Sequence, residues 1–440
     1  MSRFPTPNKN TRIGFHYFPD TDHFRATNLR TWLPELQALG TSWITLHAPN
    51  DRAIPETFLK GLLEQDIAPI LLFDMPLDNP PSLGDIRILF STYARWGVNY
   101  IRLFDSPNSR TSWSSTSWAQ TNLVERFLDI YLPYALSALQ AGLVPIFPPL
   151  KPGAGYWDTA FLRASLEAIK RRGHQKLLDN LIVGADATMG HRSITWGKGG
   201  PERWPQTKPY TASPTGAEDQ RGFYIFDWYI PIIEAVTHKP ASIILFEAGV
   251  PLKSKESGKV SILNINDHTM RNLSLIKAFT ASSRIVTNQS EYNDSIIDLD
   301  PVPDQVIACN FWLLADCPNS PHITNAWYKP DGSTLPVVKT TSKFMSERSI
   351  TKEFQDIETK TPSDNSNNSI AHYLLLPTYE WGVTDWHLDL IKPFVKQHQP
   401  TIGFSLKEAS KATRVSVVGG VQAFSQEDLD FLKAAGCVID

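Results

Sequence analysis

Eight short apolar runs recur along the chain, and longer amphipathic stretches separate them. The runs cover residues 13–18, 43–49, 69–75, 99–105, 144–150, 181–186, 242–247 and 305–314. Their unbroken apolar character predicts strands buried on both faces, as in a parallel sheet. Between them, residues 29–39, 56–65, 85–96, 123–140, 161–172, 223–236 and 270–280 carry apolar side chains at three- and four-residue spacing, which predicts helices. An eighth helix is expected over 340–354. Gly40, Gly97, Gly142 and Gly173 stand where helix ends need a left-handed residue.

Strand–helix alternation of this length predicts a (β/α)₈ barrel, the TIM-barrel architecture, followed by a small C-terminal α/β appendage. A doubly wound open sheet is the alternative. No GxGxxG follows the first run, which counts against it. The widest intervals follow the sixth and seventh runs, so insertions are expected at the carboxyl ends of those strands, where barrel enzymes build their sites. The polar stretch 359–369 reads as a linker or exposed loop. The expected division is therefore a barrel over 1–355, a linker over 356–370 and the appendage over 371–440.

Composition narrows the function classes. The 440 residues are 42% hydrophobic and 20% charged, enough for a large core. Lys and Arg number 42 against 45 Asp and Glu, for a net charge of −3. A nucleic-acid partner is not expected without a basic excess. The longest apolar runs fall far short of the ~20 residues of a membrane helix, so no membrane span is expected. The N-terminus is polar and carries no secretory pattern, which makes the cytoplasm the default compartment. The three cysteines, Cys309, Cys317 and Cys437, are too few for a disulfide framework. With no CxxC and no HExxH, neither a cysteine-based zinc site nor any other metal or cofactor is expected.

Candidate chemistry gathers at the carboxyl ends of the runs, which face the mouth of such a barrel. His16 closes the first run, His47 the second and Asp74 the third. The fourth gives Asp105, Ser106 and Asn108, the sixth Asp186, the seventh Glu247 and the eighth Trp312. A carboxylate directly after LLF, RLF or ILF is costly to bury unless paired or hydrogen-bonded, so Asp74, Asp105 and Glu247 mark a site. Mouth ion pairs and helix caps are the competing explanation for any one of them. The loop after the sixth run carries Trp196, Trp204 and Tyr210 among Gly and Pro. Those rings suit either the flat faces of sugars or the pinning of the loop to the barrel.

These residues resemble clan A of the glycoside hydrolases over roughly residues 13–333. That clan places a general acid/base glutamate at the end of strand four, in an Asn-Glu motif often extended to Asn-Glu-Pro-Asn, and a nucleophilic glutamate at the end of strand seven. Here the seventh run ends FEAG, which puts Glu247 at the nucleophile position. The fourth ends DSPN, which sets Asp105 on the asparagine and Ser106 on the acid/base. Trp113, the stretch 127–150 and the following FLRASLEAI also match the pattern, while Asp186 replaces a histidine common in the clan. The resemblance implies action on a glycosidic bond of an oligo- or polysaccharide, with Glu247 as nucleophile or base. Asp105 is then the acid if its shorter side chain reaches. It also implies a carbohydrate ligand held by His16, His47, Asp74, Ser106, Asn108, Asp186, Trp196, Trp204 and Trp312. Serine cannot donate the proton at neutral pH, so an inactive carbohydrate-binding barrel remains open, as does a scaffold protein. In the appendage, residues 414–440 weakly resemble the cell-wall-binding type 2 repeat or form a generic strand–helix–strand edge; the sequence names no protein partner for it.

Overall fold

A computed structural model describes residues 3–256, 259–280, 299–358, 370–377, 385–418 and 423–439. The eight apolar runs are all parallel strands, and they close into one barrel. In chain order they are β1 (Ile13–His16), β2 (Trp43–His47), β3 (Ala68–Phe73), β4 (Tyr100–Leu103), β5 (Val144–Phe147), β6 (Ile182–Asp186) and β7 (Ile243–Ala248). A hairpin of β8 (Lys253–Glu256) and β9 (Lys259–Ile262) intervenes before β10 (Val306–Phe311) completes the barrel. Closure is made by β10, whose Cys309, Asn310 and Phe311 pair with Ile13, Gly14 and Phe15 of β1.

Alternation along the strands sorts their side chains into two cores. Trp43, Ile70, Leu72, Tyr100, Ile146, Ile182, Ile244 and Phe246 fill the barrel interior. The intervening residues, such as Phe15, Ile44, Leu71, Phe73, Ile101 and Leu103, pack outward against the helices. The helices Ala26–Ala38, Glu56–Leu63, Leu83–Arg95, Leu123–Gln140, Asp158–Arg171, Ile225–Thr237, Ile265–Thr280 and Pro336–Glu358 follow the expected periodic segments, with ends shifted by a few residues. Propensity fixes helix boundaries weakly, and packing decides the last turn. No apolar run announces the hairpin β8–β9: KSKE and KVSI are short and mixed, and the two apolar residues of β9, Val260 and Ile262, are exposed.

The chain forms two compact units, Met1–Glu347 and Arg348–Asp440. In the second, β11 (Ile370–Leu375), β12 (Thr401–Gly403), β13 (Ala412–Val417) and β14 (Val438–Ile439) make a parallel sheet in the order β12–β11–β13–β14. The helix Gln426–Ala434 connects β13 to its neighbour β14, a strand–helix–strand unit. The polar stretch 359–369 expected as a linker lies outside the described residues. Among the described residues, no helix is long and apolar enough to cross a membrane.

Candidate functional site

Strand parity decides which residues reach the mouth. Tyr100 faces inward, so Arg102 does too; Ile182 carries Asp186 inward, Trp43 carries His47, and Leu72 carries Asp74. Glu247 breaks this rule. Phe246 already fills the interior, so a regular strand would aim Glu247 at the helices. Instead β7 holds one extra residue between Leu245 and Ala248, opposite Cys309 and Phe311 of β10, and Glu247 takes a left-handed φ of 49°. A bulge of this kind re-aims a side chain. His16 Nε2 accepts the Glu247 backbone N–H at 3.0 Å, and Thr188 Oγ1 donates to Glu247 Oε2 at 3.1 Å.

The segment after β4 is shaped the same way. Phe104 and Ser106 have φ of 64° and 41°, conformations costly for non-glycine residues, and they flank Asp105. Asn108 stitches this segment to the one after β5. Its Nδ2 donates to the carbonyls of Lys151 at 2.8 Å and Tyr156 at 2.9 Å, and its Oδ1 accepts the Lys151 N–H at 2.8 Å. Trp113 Nε1 closes the turn on the Pro107 carbonyl at 2.7 Å.

Two ion-pair systems result. Arg102, buried, spans Asp74 and Asp105, lying 3.1 Å from Asp105 Oδ1, while Asp74 also meets His47 Nδ1 at 2.7 Å. Lys151 pairs with Asp186 at 3.0 Å, and Asp186 Oδ1 accepts the Thr188 N–H at 2.9 Å. Burial pushes Asp74 up, but the Arg102 charge and the His47 hydrogen bond outweigh it and hold the carboxyl below its usual range. Burial raises Asp105 against the pull of Arg102. Burial raises Glu247 most of all, the Asp186 charge adds to it, and Lys151 only partly opposes. Asp186 in turn raises Lys151. His16 is driven well below its ordinary value by burial and by the neighbouring His47 and Arg102, so it is a neutral ring whose Nε2 accepts.

A cleft of about 430 Å³ opens here, within the range of small-ligand sites. Its walls carry the carboxyl groups of Asp105, Asp186 and Glu247 and the Lys151 ammonium, over Phe246 and Pro149. Ser106, Ser109, Thr111 and Ser112, four hydroxyl residues, also line it.

Of the residues expected from the sequence, Glu247, Asp105, Asp186 and Ser106 therefore share one cleft. Asp74 and His47 join it through Arg102 rather than as walls. Five others are placed differently. Asn108 is fully buried with its amide committed to backbone groups, so it shapes the loop instead of meeting a ligand. His16 is buried beneath Glu247 as its backbone support. Trp196 donates to Asp219 Oδ1 at 3.0 Å and Trp204 to the Lys198 carbonyl at 3.1 Å, and neither lines the cleft. Both indole N–H groups are bound within the loop that follows β6. Trp312 stands edge-on to His16, ring centroids 5.0 Å apart, and to His322 at 5.3 Å, also off the cleft walls.

Sequence reasoning missed Arg102, Lys151 and Thr188. Arg102 and Lys151 had a signal: each is a charge inside or directly after an apolar run, the pattern that exposed the carboxylates. Thr188 had none, because its role depends on the bulge in a different strand.

No family model matches the chain, and no curated protein matches it. Solved structures do. An endo-β-1,3-glucanase of family GH128 from Amycolatopsis mediterranei is 11% identical, with a TM-score of 0.40 over 76% of this chain and 98% of its own. A β-galactosidase from Marinomonas ef1 is 9% identical, with a TM-score of 0.45 over 97% of this chain and 74% of its own. Xylanase 10B from Thermotoga maritima is 11% identical, with a TM-score of 0.43 over 76% of this chain and 96% of its own.

Proposed function

We propose that the barrel acts on a glycosidic bond of an oligo- or polysaccharide. The observation that carries this reading is the convergence of three carboxyl groups, Asp105, Asp186 and Glu247, on one hydroxyl-lined cleft. Glycoside cleavage needs two carboxyl groups held in different protonation states across the scissile bond. Burial and the Asp186 charge favour the protonated form of Glu247, which suits a general acid/base. Burial raises Asp105 as well, but Arg102 at 3.1 Å opposes that rise, so of the two we assign the negative charge to Asp105. These roles reverse those implied by the sequence resemblance, and kinetics separate the two assignments. Glu247→Gln should slow glycosides with poor leaving groups far more than activated aryl glycosides, because proton donation matters most for basic leaving groups. Asp105→Asn should slow both classes. The opposite pattern would return the nucleophile role to Glu247.

Ser106 favours a second reading, a barrel that binds carbohydrate without cleaving it, since it stands where the resembling clan has its acid/base. Binding of oligosaccharides without turnover across a broad panel would establish it and sink the first.

A further inference from the structure

In the loop after β6, Tyr210 is 61% exposed, while every other tyrosine and tryptophan among the described residues is buried or half-buried. Its backbone is left-handed, with φ of 62°, a conformation that costs a bulky residue strain. Phe104, Ser106 and Glu247, which shape the cleft, share that left-handed backbone. At Tyr210 the strained turn presents an aromatic ring to water, which gives the folded chain no packing in return.

The ring is held in place from the loop after β5. Its centroid lies 6.3 Å from that of Tyr156 and 6.1 Å from that of Trp157. The Trp157 backbone N–H donates to the Tyr210 hydroxyl at 3.2 Å, which fixes where the ring points. Trp118, after β4, closes on the same stretch: a Cβ at Gly155 would lie 2.8 Å from its ring. Three consecutive mouth loops thus bring aromatic side chains to residues 155–157. That stretch is tied to the cleft wall. The Tyr156 N–H donates to the Asn108 carbonyl at 3.1 Å, and Asn108 Nδ2 donates to the carbonyls of Tyr156 and Lys151, the latter a wall residue. Buried Asp158 anchors its far end, accepting from the Gly153 N–H at 2.9 Å and Gln220 Nε2 at 2.6 Å.

We propose that Tyr210, with Trp157 and Tyr156 beside it, is a stacking platform for a sugar ring outside the cleft, so that the substrate is a polysaccharide chain and not a small glycoside. The proposal rests on the glycosidic reading of the cleft and names the substrate class for it. A sugar ring presents C–H bonds on its flatter face, and their partial positive charge suits the negative face of a tyrosine. Contact also removes apolar surface of both rings from water. The hydrogen bond from Trp157 and the Asp158 anchor order the platform before a ligand arrives, which lowers the entropy cost of binding. A ligand confined to the cleft gains nothing from a ring in the loop beyond Tyr156. Only a chain that continues out of the cleft, past the Lys151 wall and over residues 156–157, meets both.

The test uses the full chain carrying Glu247→Gln, so that ligand is bound and not consumed. Calorimetry measures affinity for β-linked gluco- and xylo-oligosaccharides from disaccharide to hexasaccharide. Affinity should step up at the length that first reaches the platform. Adding Tyr210→Gly should weaken the long oligosaccharides by on the order of 10-fold and leave the short ones unchanged. Glycine suits the left-handed backbone, so this variant should keep its thermal midpoint. Tyr210→Phe, which keeps the ring, should keep the length step. Equal loss at every length would make Tyr210 a support of the fold, and no loss at any length would leave it a bystander. Either overturns the platform while the cleft reading stands. Unchanged affinity with an altered oligomeric state by light scattering would assign the ring to a protein contact and overturn it too. If no oligosaccharide binds at any length, the cleft reading fails and the platform falls with it.

Discussion

Arg102 shows how much one residue organises. It sits in β4 with 5% of its side chain exposed, and it holds Asp74 and Asp105 on either side. Its apolar neighbours Tyr100, Ile101 and Leu103 made the run legible as a strand, and that same pattern hid the arginine. Asp74, Asp105 and Glu247 were legible because each ends a run, where a charge must find a partner. Removing Arg102 leaves two half-exposed carboxylates without their cation. Arg102→Met should therefore destabilise by about 2 kcal/mol, below the full cost of orphaning a buried pair because water reaches both acids. Arg102→Lys should fall between, since one ammonium cannot span two carboxylates as a guanidinium does. Chemical denaturation measures both, and a Met variant as stable as the wild type would remove Arg102 from this role.

At the scale of elements, the local irregularities make the site. The bulge in β7 and the left-handed residues Phe104 and Ser106 turn side chains that regular geometry would misdirect. No residue type in FEAG or DSPN demands these conformations, so a sequence pattern cannot contain them. The start of the helix Asp158–Arg171 offers a cleaner test of burial. Asp158 is fully buried and accepts from the Gly153 N–H at 2.9 Å, Gln220 Nε2 at 2.6 Å and the Tyr229 hydroxyl at 3.0 Å. Burial outweighs these bonds and pushes the carboxyl up to about 6. A raised folded-state value means the stability contributed is fully present below the unfolded pKa of roughly 4 and is lost as pH rises through about 6. Asp158→Asn keeps the Oδ1 bonds, and the Tyr229 hydroxyl can turn to accept. The variant should gain on the wild type between pH 4 and 8, by on the order of 3 kcal/mol. Urea midpoints across that range check it; parallel curves for the two proteins would refute it.

At the scale of the molecule, closure of the barrel leaves little room inside. A Cβ at Gly184 in β6 would lie 2.8 Å from the Phe147 carbonyl and 3.1 Å from the Pro149 nitrogen, both backbone atoms. Gly184→Ala should cost about 1–3 kcal/mol, since the chain after β5 must move. That chain carries Lys151, so the substitution should also disturb the Lys151–Asp186 pair and any activity of the cleft. Unchanged stability in denaturant would show that the interior has more slack than the structure describes.

The sequence alone determined the eight strands, their order and the end of the barrel where charged side chains collect. Those follow from local patterns: apolar runs too continuous for one-sided burial, and carboxylates placed directly after them. The tertiary structure decided which of those charges share a wall. His16 meets Glu247, Lys151 meets Asp186, and Asn108 binds Lys151 and Tyr156, each through contacts set by strand register and loop closure. It decided the tryptophans too. An indole serves a sugar face or a loop core equally well, and only the positions of Asp219 and the Lys198 carbonyl show where the Trp196 and Trp204 N–H groups are bound. Cys317 belongs with these: lone in sequence, it gains its partners Asp20 and His23 only because the last strand of a closed barrel must return beside the first.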